Sequence, residues 1–173
     1  NQEQIRTRFP HVMRRVSGYN LDALMSPAPF DLSRLVVGSE GTLCAVTEAK
    51  LGLVERPRHS IVVACHFAEL AEAMEANLVA LTTSPASSEL MDRLLLDQTK
   101  DQLEYAPRRR FLVGDPEALL FVEYYGDSTE RLRQLADDLE QQLRSNGLGY
   151  AYVRAQEVAE QKGMWDLRKA GLG

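Results

Sequence analysis

The strongest constraint on the fold is the order in which apolar spacing changes after Pro57. Ser60 to His66 is a β-branched run that reads as a strand. Over Phe67 to Leu81 the spacing becomes helical, with Leu70, Met74, Leu78 and Leu81 three and four residues apart, and this stripe predicts the inner face of an amphipathic helix. Pro85 to Asp92 reads equally as a strand or as the start of a helix, and Arg93 to Leu103 as helix. Tyr105 to Pro116 reads as a loop with a short strand around Phe111 to Val113. Leu119 to Tyr125 is the clearest strand, and Gly126-Asp127 stops it. Ser128 then caps a helix, with Arg131 where a full capping box would carry glutamate. That helix sets Leu132, Leu135, Leu139 and Leu143 on one stripe and ends at Asn146-Gly147. Tyr150 to Arg154 reads as a strand and Glu157 to Lys169 as a last helix.

Two successive strand–helix–strand units of this kind predict an α+β sandwich of the ferredoxin-like type, with both helices on one face of the sheet. The chain before Pro57 is of another character. Residues 2–16 read as a helix with a proline interruption, broken by Ser17-Gly18-Tyr19-Asn20. Pro27 and Pro29 stiffen the next connection, and Asp31 is placed to cap a short helix over Leu32 to Val36. Leu43 to Val54 alternates as a strand would, with Leu43, Ala45, Thr47, Ala49, Leu51 and Leu53 on one face. The domain boundary is therefore placed at Pro57, giving domains of residues 1–57 and 58–173.

Composition narrows the class. With 45% hydrophobic and 26% charged residues, the 173-residue chain has the makings of a packed core and not of a disordered segment. A net charge of −5 argues against sequence-independent nucleic-acid binding, and the run Arg108-Arg109-Arg110 reads as a solvated surface feature. No apolar stretch approaches the roughly 20 residues of a membrane helix. Cys44 and Cys65 sit far apart in apolar runs without ligand-like spacing, and read as buried, reduced thiols of a cytoplasmic protein, free or peripheral to a membrane. The chain begins without methionine and ends in Lys169-Ala170-Gly171-Leu172-Gly173, so a longer natural protein is expected, with domain 58–173 truncated at its C-terminal end.

Gly38-Ser39-Glu40-Gly41-Thr42 is a small-residue loop between a helix and a strand-like segment. Its glycines permit positive φ and close backbone approach, and its amides and hydroxyls suit a phosphate or a polar ring edge. Alone, such a loop is a plain turn more often than a site, and its spacing is neither a P-loop nor a dinucleotide fingerprint. Read with its neighbours it is more specific. Arg14-Arg15-Val16-Ser17-Gly18-Tyr19-Asn20-Leu21, Phe30-Asp31-Leu32, Leu35 to Leu43 and Val46-Thr47-Glu48-Ala49-Lys50-Leu51 closely resemble the FAD-linked oxidases of the vanillyl-alcohol-oxidase type, in their D-lactate, glycolate and D-2-hydroxyglutarate dehydrogenase branch. The resemblance is strong over residues 10–57. It is looser beyond, resting on Ser88-Glu89-Leu90-Met91-Asp92 and Trp165-Asp166-Leu167-Arg168.

The resemblance implies that residues 1–57 are the end of the second lobe of an FAD-binding domain. Gly38, Ser39, Glu40, Gly41, Thr42 and Val46 would then line the flavin, largely through backbone atoms. Cys44 departs from the family pattern, where a glycine is usual. Residues 58–173 would be most of the cap over the flavin ring. Trp165 and Arg168 look like the family's Trp-x-x-Arg motif, whose arginine binds the substrate carboxylate, and a planar, permanently charged fork suits that task. The bland alternatives are core packing for Trp165, which is the preferred reading, and a surface salt bridge for Arg168. His11, His59 and His66 read as structural or exposed, and Glu48 and Glu123 as solvent-facing strand residues. No catalytic base and no metal ligand is assigned within the chain; the family's histidines for those roles belong to a downstream segment.

The implied reaction is oxidation of a small 2-hydroxy acid to the 2-oxo acid, with electrons leaving to a separate acceptor. FAD is the implied cofactor of the full-length protein, and an iron–sulfur cluster or metal would lie outside this chain. The fragment itself is expected to be inactive, with its partners the hydroxy acid, the missing parts of the polypeptide and the acceptor. Two alternatives remain: a flavoenzyme of the same fold acting on another substrate, and a non-catalytic ferredoxin-like binding module.

Overall fold

A computed structural model gives the positions of residues 1–10, 18–25 and 30–170. The sequence readings of Arg14, Arg15, Pro27, Pro29 and the Gly171–Gly173 end lie outside the described residues. By internal contacts the chain divides into two units, Asn1–Val54 and Glu55–Gly173.

In the first unit helix α1 (Gln2–Arg8) stops at Phe9, whose backbone is extended as the residue before a proline must be. Asp31 accepts hydrogen bonds from the Ser33 amide (2.9 Å) and hydroxyl (2.7 Å), and α2 (Ser33–Val36) starts there. The Asn20 amide group donates to the carbonyls of Arg34 (3.3 Å) and Val37 (3.0 Å), tying the Gly18–Asn20 turn to that helix. The strand expected over Leu43–Val54 does not form; the segment is irregular, and Leu43, Val46, Leu51, Leu53 and Val54 are exposed. Alternation marks a half-buried strand only where a neighbour takes up the ladder bonds, and the described residues of this unit supply none. Cys44 is likewise exposed, against expectation, whereas Cys65 is fully buried.

The second unit is built on β1 (His59–Phe67), followed by α3 (Leu70–Thr82), β2 (Ser87–Asp92), α4 (Arg93–Gln98), β3 (Ala118–Gly126), α5 (Thr129–Ser145), β4 (Ala151–Ala155) and α6 (Val158–Ala170). The sheet order is β2-β3-β1-β4 with every neighbouring pair antiparallel, the arrangement expected of two split strand–helix–strand units. Registers such as Val63↔Val122 and Ala64↔Val153 put alternate residues of each strand on opposite faces. One face buries Ile61, Val63, Cys65, Phe67, Leu120, Val122 and Tyr124 beneath α3 and α5. The other buries Val62, Ala64, Met91, Leu119 and Phe121 with Leu96 of α4 and Met164 and Leu167 of α6. With both faces covered, β1 and β3 read as continuous apolar runs and not as alternating ones.

Three further expectations are corrected. In α3 the buried residues are Ala73, Ala76 and Ala80, while Met74 and Leu78 are 60% and 68% exposed. The leucine–methionine stripe therefore faces outward. Alanine lets the helix lie close on the sheet; a leucine stripe there would hold it away, and hydrophobicity alone cannot express that preference. No strand forms over Phe111–Val113, and the connection instead turns through a 3₁₀ segment, Ala106–Arg109. Arg109 is not simply solvated: its Nη1 donates to the Leu96 carbonyl (2.6 Å) and the Thr99 hydroxyl (2.7 Å), satisfying groups at the end of α4.

Candidate functional site

Helix α6 owes its seat to Gln161 as well as to Met164 and Leu167. The Gln161 amide nitrogen donates to the carbonyls of Ser60 (2.9 Å), Ala155 (3.2 Å) and Gln156 (3.2 Å), and its oxygen accepts from the Ser60 hydroxyl (2.7 Å). A buried side-chain amide so fully satisfied fixes the rotation of the helix about its axis. One turn on, Trp165 meets Phe121 edge-on with ring centroids 5.7 Å apart, so the packing reading of Trp165 fits. Trp165 also lines a cavity of about 850 Å³ with Ser60, Glu123, Tyr125, Gln161 and Lys169.

Glu123 is not the solvent-facing strand residue expected from sequence. It is 8% exposed and accepts hydrogen bonds from the Tyr125 hydroxyl (3.0 Å) and the Ser87 hydroxyl (3.2 Å). Burial raises its carboxyl above the ordinary range, the two hydroxyls oppose that, and the nearby Glu89 charge adds to it. The cavity thus has a buried carboxyl group at one wall and an indole at another.

Arg168 projects from the same helix toward β2, where its Nε lies 2.6 Å from Oε2 of Glu89. Oε2 is buried and makes no hydrogen bond, so the guanidinium is what offsets its charge. The salt-bridge reading of Arg168 therefore describes a contact that is present, and its partner comes from the other segment, Ser88 to Asp92, that carried the cap resemblance. Glu89 was not singled out from sequence. The signal for it was the period-two placement of Glu89 with Met91, which is fully buried: a carboxylate on the inner face of a strand needs a partner.

The loop Gly38–Thr42 lies in the first unit. Gly38 and Gly41 have φ of +88° and +77°, and Glu40 between them +51°. Thr42 closes the turn by donating its amide (3.0 Å) and hydroxyl (2.6 Å) to the Ser39 carbonyl, and Tyr19 hydrogen-bonds to the Thr42 hydroxyl (2.8 Å). The amides of Glu40 and Gly41 have no partner among the described residues, and nothing there lies within 4 Å of where a Cβ on Gly41 would sit. Among the described residues, nothing keeps a bulky polar group from the backbone of this loop. Ser39 of the loop is buried, whereas Val46, beyond it, is exposed. No group of potential metal ligands occurs among the described residues.

Comparison with known proteins gives a match to the family model for the C-terminal domain of FAD linked oxidases over residues 56–173. The chain is 32% identical over 150 residues to the mitochondrial D-lactate dehydrogenase [cytochrome] of Arabidopsis thaliana, covering 87% of this chain and 25% of that protein. It is 25% identical over 180 residues to the D-2-hydroxyglutarate dehydrogenase of Pseudomonas putida (99% and 18%) and 25% identical over 176 residues to that of Escherichia coli (95% and 17%). The chain thus spans a quarter or less of the length of these relatives.

Proposed function

We propose, since this chain belongs to the FAD-linked oxidases and carries their C-terminal domain, that it is the substrate-covering part of a longer flavoenzyme oxidising a small 2-hydroxy acid to the 2-oxo acid. Residues 1–57 are the end of its FAD-binding domain and residues 58–173 most of its cap. The observation that carries the reading is the family match together with relatives named for D-lactate and D-2-hydroxyglutarate, both 2-hydroxy acids.

FAD, when bound, supplies the two-electron acceptor. The open amides at Glu40 and Gly41 and the free space beside Gly41 suit a flavin edge, so Gly38, Ser39, Glu40, Gly41, Thr42 and Val46 are the residues assigned to hold it. Arg168 binds the substrate carboxylate and so fixes the orientation of the hydroxy acid. The hydroxyl proton leaves to a group that is not assigned within residues 1–173, and electrons pass on to a separate acceptor. No described helix is long and apolar enough to cross a membrane; the site of action proposed is the cytoplasm or a membrane surface.

The test is the absorption spectrum of the complete natural protein, purified without added cofactor, before and after anaerobic addition of D-lactate, glycolate and D-2-hydroxyglutarate. Bleaching of a flavin band by one of the three is the expected result. A colourless protein that takes up no added FAD would overturn the reading and favour a binding module.

A further inference from the structure

We propose that Glu89 is the positioning residue for Arg168: it grips the guanidinium at its Nε edge so that the remaining N–H groups are held out for a carboxylate. The inference rests on the reading of Arg168 as the carboxylate-binding residue.

Four observations carry it. The Nε–Oε2 separation is 2.6 Å, and Glu89 is the ionic partner of Arg168 among the described residues. Oε2 of Glu89 is buried without a hydrogen bond, so the Arg168 guanidinium is the charge that faces this oxygen. The two side chains remain 36% and 34% exposed, so one side of the pair is open to a ligand. Finally, the two ends differ in rigidity. Glu89 sits on a strand locked to β3 through the Glu89↔Phe121 register, whereas Arg168 sits in the last turn of its helix on a long, rotamer-rich side chain.

The chemistry of guanidinium makes the division of labour possible. Its five N–H donors lie in one plane, so a carboxylate at the Nε edge leaves donors directed elsewhere in the fork. A lysine ammonium has no second edge and could not be held by one anion and presented to another. Fixing the side chain beforehand removes the rotamer loss that binding would otherwise carry. The charge of Glu89 works against an incoming anion, and the proposal is that orientation outweighs this repulsion, which the open face exposes to solvent screening.

The experiment compares Arg168→Lys, Glu89→Ala and Glu89→Gln in the complete holoenzyme, with whichever of D-lactate, glycolate and D-2-hydroxyglutarate reduces the flavin. Thermal unfolding of each variant identifies any that fails to fold. Glu89→Ala is expected to raise KM about three- to tenfold, the equivalent of one freed rotamer-rich side chain, with a smaller change in kcat. Glu89→Gln, which keeps the shape of the side chain but not the charge that holds Nε, should share that KM-selective rise, whereas a merely space-filling role would be restored by it. Lower KM in Glu89→Ala would show that Glu89 competes with substrate, and unchanged KM that it does nothing; either overturns the proposal. If Arg168→Lys also leaves KM and kcat unchanged, or no hydroxy acid reduces the flavin, the carboxylate reading of Arg168 falls and this assignment with it. A defect in Arg168→Lys without one in Glu89→Ala leaves that reading standing and removes only Glu89.

Discussion

His66 accepts a hydrogen bond at Nε2 from the backbone amide of Val113, 3.2 Å away, while its Nδ1 lies 3.0 Å from the Ala64 carbonyl. The ring is fully buried. An amide donor at Nε2 requires the proton to sit on Nδ1, so the neutral ring is satisfied on both nitrogens and a second proton would confront an N–H group. Burial lowers its pKa below 6.5, and hydrogen bonds to backbone carbonyls oppose that shift without reversing it. Because the unfolded chain takes up the proton first, this residue's contribution is complete above about pH 6.5 and declines as pH falls toward the folded value. The urea midpoint should therefore drop on acidification from pH 7.5, and His66→Gln should flatten that part of the curve. Parallel curves for parent and variant would show that His66 does not titrate differently on unfolding.

Glu123 should titrate with the opposite sign. Its folded pKa is raised above 4.5 by burial, so the unfolded chain loses the proton first and stability falls as pH rises between those two values. Glutamine can still accept from Ser87 and Tyr125 but carries no charge to desolvate. Glu123→Gln is expected to gain on the parent between pH 4 and pH 7 in the same urea assay, with no gain at the acid end.

Gly149 has φ +82°, and a Cβ there would come within 3.2 Å of Phe67 Cε1 and the Tyr152 hydroxyl and 3.3 Å of the His66 carbonyl. Gly147 has φ +69° with open space around it. Both alanine variants bear the left-handed backbone penalty of about 1 kcal/mol. Gly149→Ala must also displace its neighbours, so its total is expected at about 2–4 kcal/mol. Equal losses in chemical denaturation would mean that the Phe67–Tyr152 side chains give way freely.

The reversed face of α3 makes a paired prediction. Ala76 is fully buried and Leu78 largely exposed. Ala76→Leu should destabilise by about 1–3 kcal/mol through overpacking, and Leu78→Gln should stay within about 0.5 kcal/mol of the parent. The reverse order in unfolding experiments would restore the leucine stripe as the inner face.

Much of the second unit was legible because its signals are local. Helical spacing over Leu132–Leu143, the Ser128 cap, the Asn146-Gly147 stop and the apolar run Leu119–Tyr125 each lie within one element, and each element formed near its expected limits. Their order determined the topology, since two successive strand–helix–strand units have few ways to close an antiparallel sheet. The family was legible for a similar reason, in short motifs whose residues are neighbours in the chain.

The candidate site was only half legible. Arg168 and Trp165 were read from their motif, but Glu89 and Glu123 draw their character from partners on other elements. Ser60 and Gln161, 101 positions apart, hydrogen-bond only because the sheet carries β1 beneath α6. What the amino-acid sequence determined by itself was the identity and order of the elements and the family motifs, because propensity and periodicity act over a few residues. Tertiary structure alone decided that alanine and not leucine faces the sheet in α3, that Leu43–Val54 finds no ladder to join among the described residues, and that Glu89 meets Arg168. Each of these depends on which surface packs against which, and burial and charge compensation are properties of that surface.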